Sequence, residues 1–169
     1  MRTIEQILSI FPNTQKEDWS QHKNGGGWKQ GTARIDNSAH LGPDAILSGN
    51  ARVYGDAWVS GNAEVSGNAE VSGDARVYGN ARVSGNAGVY GDAWDKTPIQ
   101  ILTDSYTFQA VTHTIIAAGC EHHTFEHWAD HITEIANAHG VTDEAIIAEY
   151  FSYIELIHNW QVSRFGLKK

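Results

Sequence analysis

The sequence has little cysteine, little proline and few basic residues: of 169 residues, one is cysteine, three are proline and 12 are lysine or arginine. The single Cys120 excludes an internal disulfide framework and is typical of a reducing cytoplasm. No apolar run approaches the roughly 20 residues that cross a membrane, and the N-terminal apolar stretch is too short and too polar for a secretory signal. With 20 acidic residues and a net charge of −8, general binding to DNA or RNA is disfavoured. We therefore expect a cytoplasmic protein.

Glycine and charge are distributed unevenly along the chain. Fourteen of the 17 glycines lie between Gly25 and Gly91, and this skew indicates a repeat. Residues 1–30 carry a net charge of +1, residues 31–94 of −3 and residues 95–169 of −6. The middle segment nevertheless holds four arginines, so a small anionic ligand is most favoured there. These three segments are predicted to be an N-terminal cap, a repeat segment and a C-terminal domain.

The repeat has a period of six residues. Alanine occupies every sixth position from Ala33 to Ala93, and an aliphatic residue follows two positions later from Ile35 to Val89. Glycine followed by asparagine or aspartate recurs between these pairs and marks turns. The pattern predicts a β-solenoid in which each hexad supplies one short strand and one corner, with the alanine and the aliphatic residue pointing inward. At each corner we expect asparagine or aspartate in the left-handed backbone region, with glycine beside it relieving crowding.

These hexads, such as Gly-Asn-Ala-Arg-Val-Tyr at 49–54, resemble the hexapeptide-repeat, left-handed β-helix family. The resemblance implies a mostly β protein, a left-handed parallel β-helix with three hexads, or about 18 residues, in each triangular coil. Residues 31–94 would then form about three and a half coils. It also implies a homotrimer with sites between subunits. Residues 1–30, with a short helix that Thr3 can cap, are expected to cover the first coil.

The 18-residue period also predicts which side chains stack on the outside of the solenoid. One outward column should place an arginine between two tryptophans, which suits cation–π stacking: His40, Trp58, Arg76 and Trp94. Exposed aromatic rings usually mark a subunit contact or a ligand platform. Neighbouring coils lie about 4.8 Å apart, so we expect ion pairs between Arg52 and Glu70 and between Glu64 and Arg82. The alternative to a functional role is that these charges only solvate and stiffen the wall of the solenoid. The predicted ligand-binding residues are Arg52, Tyr54, Trp58, Arg76, Tyr78, Arg82, Tyr90 and Trp94.

The C-terminal segment, residues 95–169, is predicted to be a small α+β domain. Alternating and β-branched residues between 98 and 118 indicate two or three strands, with a turn at 103–105. A helical hairpin follows, its helices starting after Thr124 and after Thr142 and separated at Gly140.

The glycine-rich segment before the solenoid, the solenoid itself and this tail together resemble hypothetical bacteriophage and prophage proteins over nearly the whole chain. Besides the repeat, the resemblance rests on Gly25-Gly26-Gly27-Trp28, Ile116-x-x-Gly119-Cys120, Trp128, Gly140-x-Thr142 and Glu149-Tyr150-x-x-Tyr153-Ile154. It implies a phage-encoded protein that acts in the cytoplasm of a bacterial host.

Cysteine and histidine cluster at the start of the first tail helix. Their spacing gives four candidate ligands for a tetrahedral zinc ion: Cys120, His123, His127 and His131. The alternative is a solvated helix face beside acidic neighbours. A hydrolytic zinc is poorly supported, because a metalloprotease needs glutamate where this chain has Trp128. Cys120 is also a candidate nucleophile, although a small buried thiol is the commoner case.

Three functions remain open on the sequence. The favoured one is a non-enzymatic trimeric protein that sequesters a small anionic, nucleotide-like ligand at clefts between subunits, in the manner of a sponge for a host-defence signal. The second is an acyltransferase that uses acetyl-coenzyme A, with His40 as general base; this is analogy at the level of the fold. The third is a purely structural or protein-interaction trimer. No cofactor is expected beyond a possible zinc ion, and no membrane or general nucleic-acid partner.

Overall fold

The chain divides into two compact units, Met1–Pro98 and Ile99–Lys169. The computed structural model describes residues 1–91, 93–94 and 97–167. The first unit is a parallel β-solenoid and the second combines an antiparallel sheet with two helices. The mostly β solenoid and the α+β tail predicted from the sequence are therefore confirmed. No described helix has both the length and the apolar character needed to cross a membrane.

The solenoid has three faces, each a parallel sheet of four rungs. The first face comprises β2 (Trp28–Gln30), β5 (Ile46–Leu47), β8 (Glu64–Val65) and β11 (Arg82–Val83), extended by the antiparallel β1 (Trp19–Gln21). The second face comprises β3 (Arg34–Ile35), β6 (Arg52–Val53), β9 (Glu70–Ser72) and β12 (Gly88–Tyr90). The third face comprises β4 (His40–Leu41), β7 (Trp58–Val59), β10 (Arg76–Val77) and β13 (Ala93–Trp94). Because Trp28 already pairs with Ile46, the solenoid starts before residue 31 and makes about four turns.

The interior of the solenoid is built from the two inward columns of each hexad. Ala51 and Val53 are both fully buried, and so are Ala69 and Val71, their counterparts in the next coil. The backbone N–H of Arg52 donates to the carbonyl oxygen of Ala69 at 2.9 Å, and equivalent bonds tie each coil to the next. Small and branched side chains thus fill a narrow core, while the backbone of each inner rung is paired on both sides.

The corners differ from the sequence-based prediction. Every corner glycine from Gly49 to Gly91 has a φ between +64° and +73°, and no other described residue type has a positive φ. The prediction that asparagine or aspartate takes the left-handed conformation was therefore wrong. The close stacking of corners in successive coils explains why glycine takes this position, because a Cβ at Gly61 would lie 2.9 Å from the backbone nitrogen of Gly79 in the next coil. The asparagines form hydrogen-bonded ladders instead: Asn50–Asn68, Asn68–Asn86 and Asn62–Asn80.

The N-terminal segment covers the first coil in two ways. Helix α1 (Ile4–Ile10) begins with a capping box at Thr3 and packs Ile7 against Ile46 on the outward side of the first face. The loop between β1 and β2 pairs with the open edge of β4, since the N–H of Gly27 donates to the carbonyl of Leu41 at 2.8 Å. Backbone groups at the start of the solenoid are thereby satisfied, and the edge is closed to another strand.

The second unit is a four-stranded antiparallel meander followed by a helical hairpin. Its strands are β14 (Gln100–Leu102), β15 (Thr107–Ala110), β16 (Ile115–Ala118) and β17 (Glu121–Thr124), and its helices are α2 (Phe125–Ala138) and α3 (Glu144–Phe165). Three of these strands lie between residues 98 and 118, which confirms the prediction for that stretch, and the fourth strand, β17, was not predicted. The stretch Val111–Ile116 is divided by a turn, with the Val111 N–H bonded to the Ile115 carbonyl. The histidine-rich segment before α2 also forms a strand, because its backbone pairs with β16.

Candidate functional site

The third face of the solenoid carries the stacked aromatic column that the 18-residue period predicts. His40 lies opposite Trp58, and Trp58 lies opposite Arg76. The imidazole and indole rings are stacked with centroids 3.7 Å apart and planes inclined by 18°. Trp58 is nevertheless 47% exposed, and Tyr78, which follows β10, is 40% exposed. We call His40, Trp58, Arg76 and Tyr78 the aromatic face.

The side chain of Trp94 does not belong to the aromatic face, although its backbone lies in the third sheet. Its backbone pairs with Val77, while Ala93 takes the place opposite Arg76, so the last coil is one residue shorter than the others. A shift of one residue turns a side chain to the opposite side of a strand. Trp94 is accordingly only 1% exposed and lies in the inner column. The predicted Arg76–Trp94 stack was therefore wrong.

The remaining predicted ligand residues lie on the other two faces. Arg82 is on the first face and pairs with Glu64, their closest atoms 3.8 Å apart. Arg52 lies opposite Glu70 on the second face, followed by the half-buried Tyr54. A single chain therefore does not gather the eight predicted residues on one surface.

Tyr90, also on the second face, is folded back over Gly88. A Cβ at Gly88 would lie 2.9 Å from its hydroxyl oxygen. Burial, followed by the nearby charge of Glu70, raises the pKa of the Tyr90 hydroxyl. The ring therefore fills the space that Gly88 leaves.

His40 is held as a neutral ring at one end of the aromatic face. Its Nδ1 lies 3.2 Å from the side-chain oxygen of Asn24. Burial, followed by the neighbouring His22, lowers the pKa of the His40 imidazole. If Nδ1 carries the proton and donates to Asn24, Nε2 is left as an acceptor. In that tautomer Nε2 can accept a proton, while the face of the ring stacks on Trp58.

A second cluster lies in the C-terminal unit. Within the described residues, one group of three metal-ligating side chains has donor atoms within 4.8 Å of one another: Cys120, Glu121 and His139. The two-residue turn between β16 and β17 places Cys120, with Gly119 at a φ of +61°. A Cβ at Gly119 would lie 2.9 Å from the Tyr106 ring, so this position requires glycine. His139 is the C-cap residue of α2.

Glu121 is the centre of this cluster. One carboxylate oxygen lies 3.1 Å from Nε2 of His139, and the other lies 3.0 Å from Nε2 of His123. Hydrogen bonding to His139, and secondly to His123, lowers the pKa of the Glu121 carboxyl. Glu121 is therefore a carboxylate at neutral pH and fixes both imidazole rings.

The structure groups the histidines differently from the predicted zinc site. His123 stacks on His127 with ring centroids 4.2 Å apart, and His127 stacks on His131 at 4.4 Å. The ring nitrogen Nδ1 of His131 contacts the backbone carbonyl of His127 at 3.1 Å. The three rings form a row that runs from the end of β17 along the first turns of α2. Among the described residues, Cys120 instead comes together with Glu121 and His139, which sequence spacing did not indicate.

An apolar cavity of about 50 Å³ adjoins the Cys120–Glu121–His139 cluster. Its walls include Tyr106, Trp128 and Ile132, and the three cluster residues also line it. Trp128 is fixed there by a 3.0 Å hydrogen bond from its indole nitrogen to the Ile116 carbonyl. The cluster thus combines polar donors with an apolar recess.

The fold and the repeat define this chain as a β-solenoid repeat protein. A family model described as the YdcK beta solenoid repeat matches residues 47–61 and 75–91, both inside the solenoid. No curated protein and no solved structure matches the chain. The similarity therefore concerns the repeat, and the argument for function depends on the sites.

Proposed function

We propose that the protein is a non-enzymatic binding protein whose aromatic face takes up a small planar anion such as a nucleotide. The observation that carries this proposal is the exposure of Trp58. An indole ring that is stacked on one side and still 47% exposed offers apolar surface to a partner. Because the chain is acidic, such a surface favours a small ligand that stacks on the ring and disfavours a nucleic-acid chain with its charged backbone.

The chemistry of the face fits a base attached to a phosphate. His40 supports one side of the Trp58 ring. Among the described side chains, the contact between an arginine and an aromatic ring is that of Arg164 with Trp160. The Arg76 guanidinium therefore does not cover the other side of the Trp58 ring. A base would stack against Trp58 while the Arg76 guanidinium binds the phosphate in a bidentate manner, and the Tyr78 hydroxyl offers a further hydrogen bond.

Assembly into a homotrimer would complete the site. Arg52 and Tyr54 lie on the second face of the solenoid, so they do not share the face of Trp58 within one chain. In a closed trimer of prism-shaped solenoids, the second face of one chain would meet the third face of its neighbour. The cleft would then contain arginine and tyrosine side chains from both.

The biological part of the proposal is sequestration. A phage-encoded protein with three such clefts in the bacterial cytoplasm would lower the free concentration of a nucleotide signal used in host defence. Its support is the resemblance of the repeat, the glycine entry and the tail to phage and prophage proteins.

The first test is native mass spectrometry of protein purified gently from cells. We expect a trimer that retains one ligand of nucleotide mass in each cleft. Calorimetric titration with a panel of mono-, di- and cyclic nucleotides then measures affinity. W58A and R76A should each weaken binding by about tenfold or more, whereas R164A, an exposed arginine of the C-terminal unit, should not. A trimer that binds no nucleotide would favour the structural alternative, and a monomer would remove the cleft.

The acyltransferase remains the second candidate because of one observation, the environment of His40. Its lowered pKa and its contact with Asn24 are what a general base needs at neutral pH. This candidate requires that acetyl-coenzyme A binds and that H40A abolishes acyl transfer. Unchanged transfer in H40A would reject it.

A further inference from the structure

We propose that Cys120, Glu121 and His139 form a zinc-binding site in the C-terminal unit, independent of the solenoid face. The three donors are a sulfur, a carboxylate oxygen and an imidazole nitrogen, within 4.8 Å of one another. Zinc is bound in proteins by these three donor types. The set shares Cys120 with the ligands predicted from the sequence and replaces the helical histidines.

The distance between two of the three donor atoms is close to that expected around a coordinated zinc ion. Glu121 Oε1 and His139 Nε2 lie 3.1 Å apart. Two such ligands on a tetrahedral zinc, each about 2.0–2.1 Å from the ion, are separated by roughly 3.3 Å. The ion would therefore replace the hydrogen bond between them without moving either backbone. Cys120 is exposed, so rotation of its side chain brings the sulfur the remaining distance.

His123 supports the site from outside. Its Nε2 contacts the carboxylate oxygen of Glu121 that does not face His139, at 3.0 Å. Such a hydrogen bond fixes the orientation of a ligating carboxylate and raises affinity for the metal. His123 thus acts as a positioning residue, and its ring is itself packed edge-on against Trp128 with centroids 5.1 Å apart.

The donor set also determines which ion binds. A thiolate is a soft ligand that magnesium and calcium avoid, whereas zinc accepts it together with imidazole. Binding releases the thiol proton of Cys120 as the sulfur–zinc bond forms, so affinity falls at acidic pH. Three protein ligands leave one position open. Because all three residues line the apolar cavity, a water or a small ligand would reach the ion from that side.

The test is a calorimetric titration of the full-length untagged protein with zinc, after treatment with a chelator and in the presence of a non-thiol reductant. We expect one zinc per chain. Cobalt titration should give the near-ultraviolet thiolate-to-cobalt band, which C120S should eliminate. E121Q and H139Q should each weaken zinc binding by at least about tenfold, and H123Q by a smaller factor. All four side chains are wholly or partly exposed, so these variants should fold, as circular dichroism checks.

The matched controls are H127Q and H131Q, which remove the helical histidines of the sequence-predicted set. Both should bind zinc as the unaltered protein does. The proposal is overturned if zinc binds no more tightly than roughly 100 µM. It is overturned equally if H127Q or H131Q weakens binding while H139Q does not, since that result assigns the ion to the other histidines.

Discussion

Trp58 and Trp94 end the same tetrapeptide, Gly-Asp-Ala-Trp, yet Trp58 is 47% exposed and Trp94 is 1% exposed. The two residues occupy equivalent positions in the repeat but different positions in the sheet. Trp58 lies opposite Arg76 and points outward, whereas Trp94 lies opposite Val77 and points inward. One tryptophan is therefore part of a surface and the other is part of the core.

This difference predicts opposite responses to truncation. W94A should lower the free energy of unfolding of the solenoid unit by about 3–5 kcal/mol, because it leaves a cavity in a filled interior. W58A should lower it far less, since nearly half of the ring is already in water. Guanidinium denaturation followed by circular dichroism measures both. Equal losses in the two variants would contradict the inward placement of Trp94.

The sequence was sufficient to predict the solenoid because each coil is built from the same hexapeptide pattern. Alanine and valine at fixed spacing determine the inward side, and the 18-residue period determines the register, as the His40–Trp58–Arg76 column shows. The shortened last coil was missed. Residues 91–94 repeat residues 55–58 letter for letter, so these four residues do not mark the change of register. The signal in the sequence is Asp95, which stands where the repeat has an aliphatic residue.

The metal cluster was missed for a different reason. Spacing along one helix suggested His127 and His131, but the structure supplies the third donor from the far end of α2. His139 reaches Glu121 across 18 positions of chain, and this contact exists only because β17 forms a strand beside the returning helix. Pairing of β17 with β16 is a tertiary effect that overrides the polar character of the segment.

The corner glycines predict a graded response to alanine. G61A and G73A both place a side chain at a φ near +65°, which costs about 1–2 kcal/mol. At Gly61 the new Cβ would also lie 2.9 Å from the backbone of Gly79, whereas at Gly73 it would meet nothing within 4 Å. We therefore expect G61A to lower the melting temperature more than G73A. The reverse order in thermal unfolding would contradict the stacked corners.

His40 predicts a dependence of stability on pH. Burial and His22 lower its pKa from the usual 6.5 in the folded chain, so the unfolded chain binds the proton more tightly. The stabilising contribution is complete above about pH 6.5 and is lost as the pH falls from there through the folded pKa.

The measurement is a pair of denaturation series at neutral and mildly acidic pH. H40Q should gain stability relative to the unaltered protein as the pH falls, while H131Q, in the other unit, should leave the solenoid transition unchanged. Proton NMR of the His40 ring should titrate with a midpoint below 6.5. A midpoint above that value would disprove the assignment.

Gln161 joins α3 to the sheet of the C-terminal unit. Its side chain is fully buried, and Nε2 donates to the carbonyls of Thr112 and Ile115 at 2.9 and 3.2 Å. Q161L would remove this donor from both carbonyls, and we expect it to lower the free energy of unfolding by about 1–3 kcal/mol.

Q161E tests the same contact through its charge. A carboxylate cannot donate and would lie against two carbonyl oxygens, so burial there favours the protonated acid, which can donate one hydrogen bond. The pKa of the introduced glutamate is raised in the folded chain, and the deficit in stability should therefore grow as the pH rises above about 4.3. N159D makes the same amide-to-acid change at an exposed position of α3 and should lack this dependence. A pH-independent deficit in Q161E would show that the side chain leaves the sheet and reaches water.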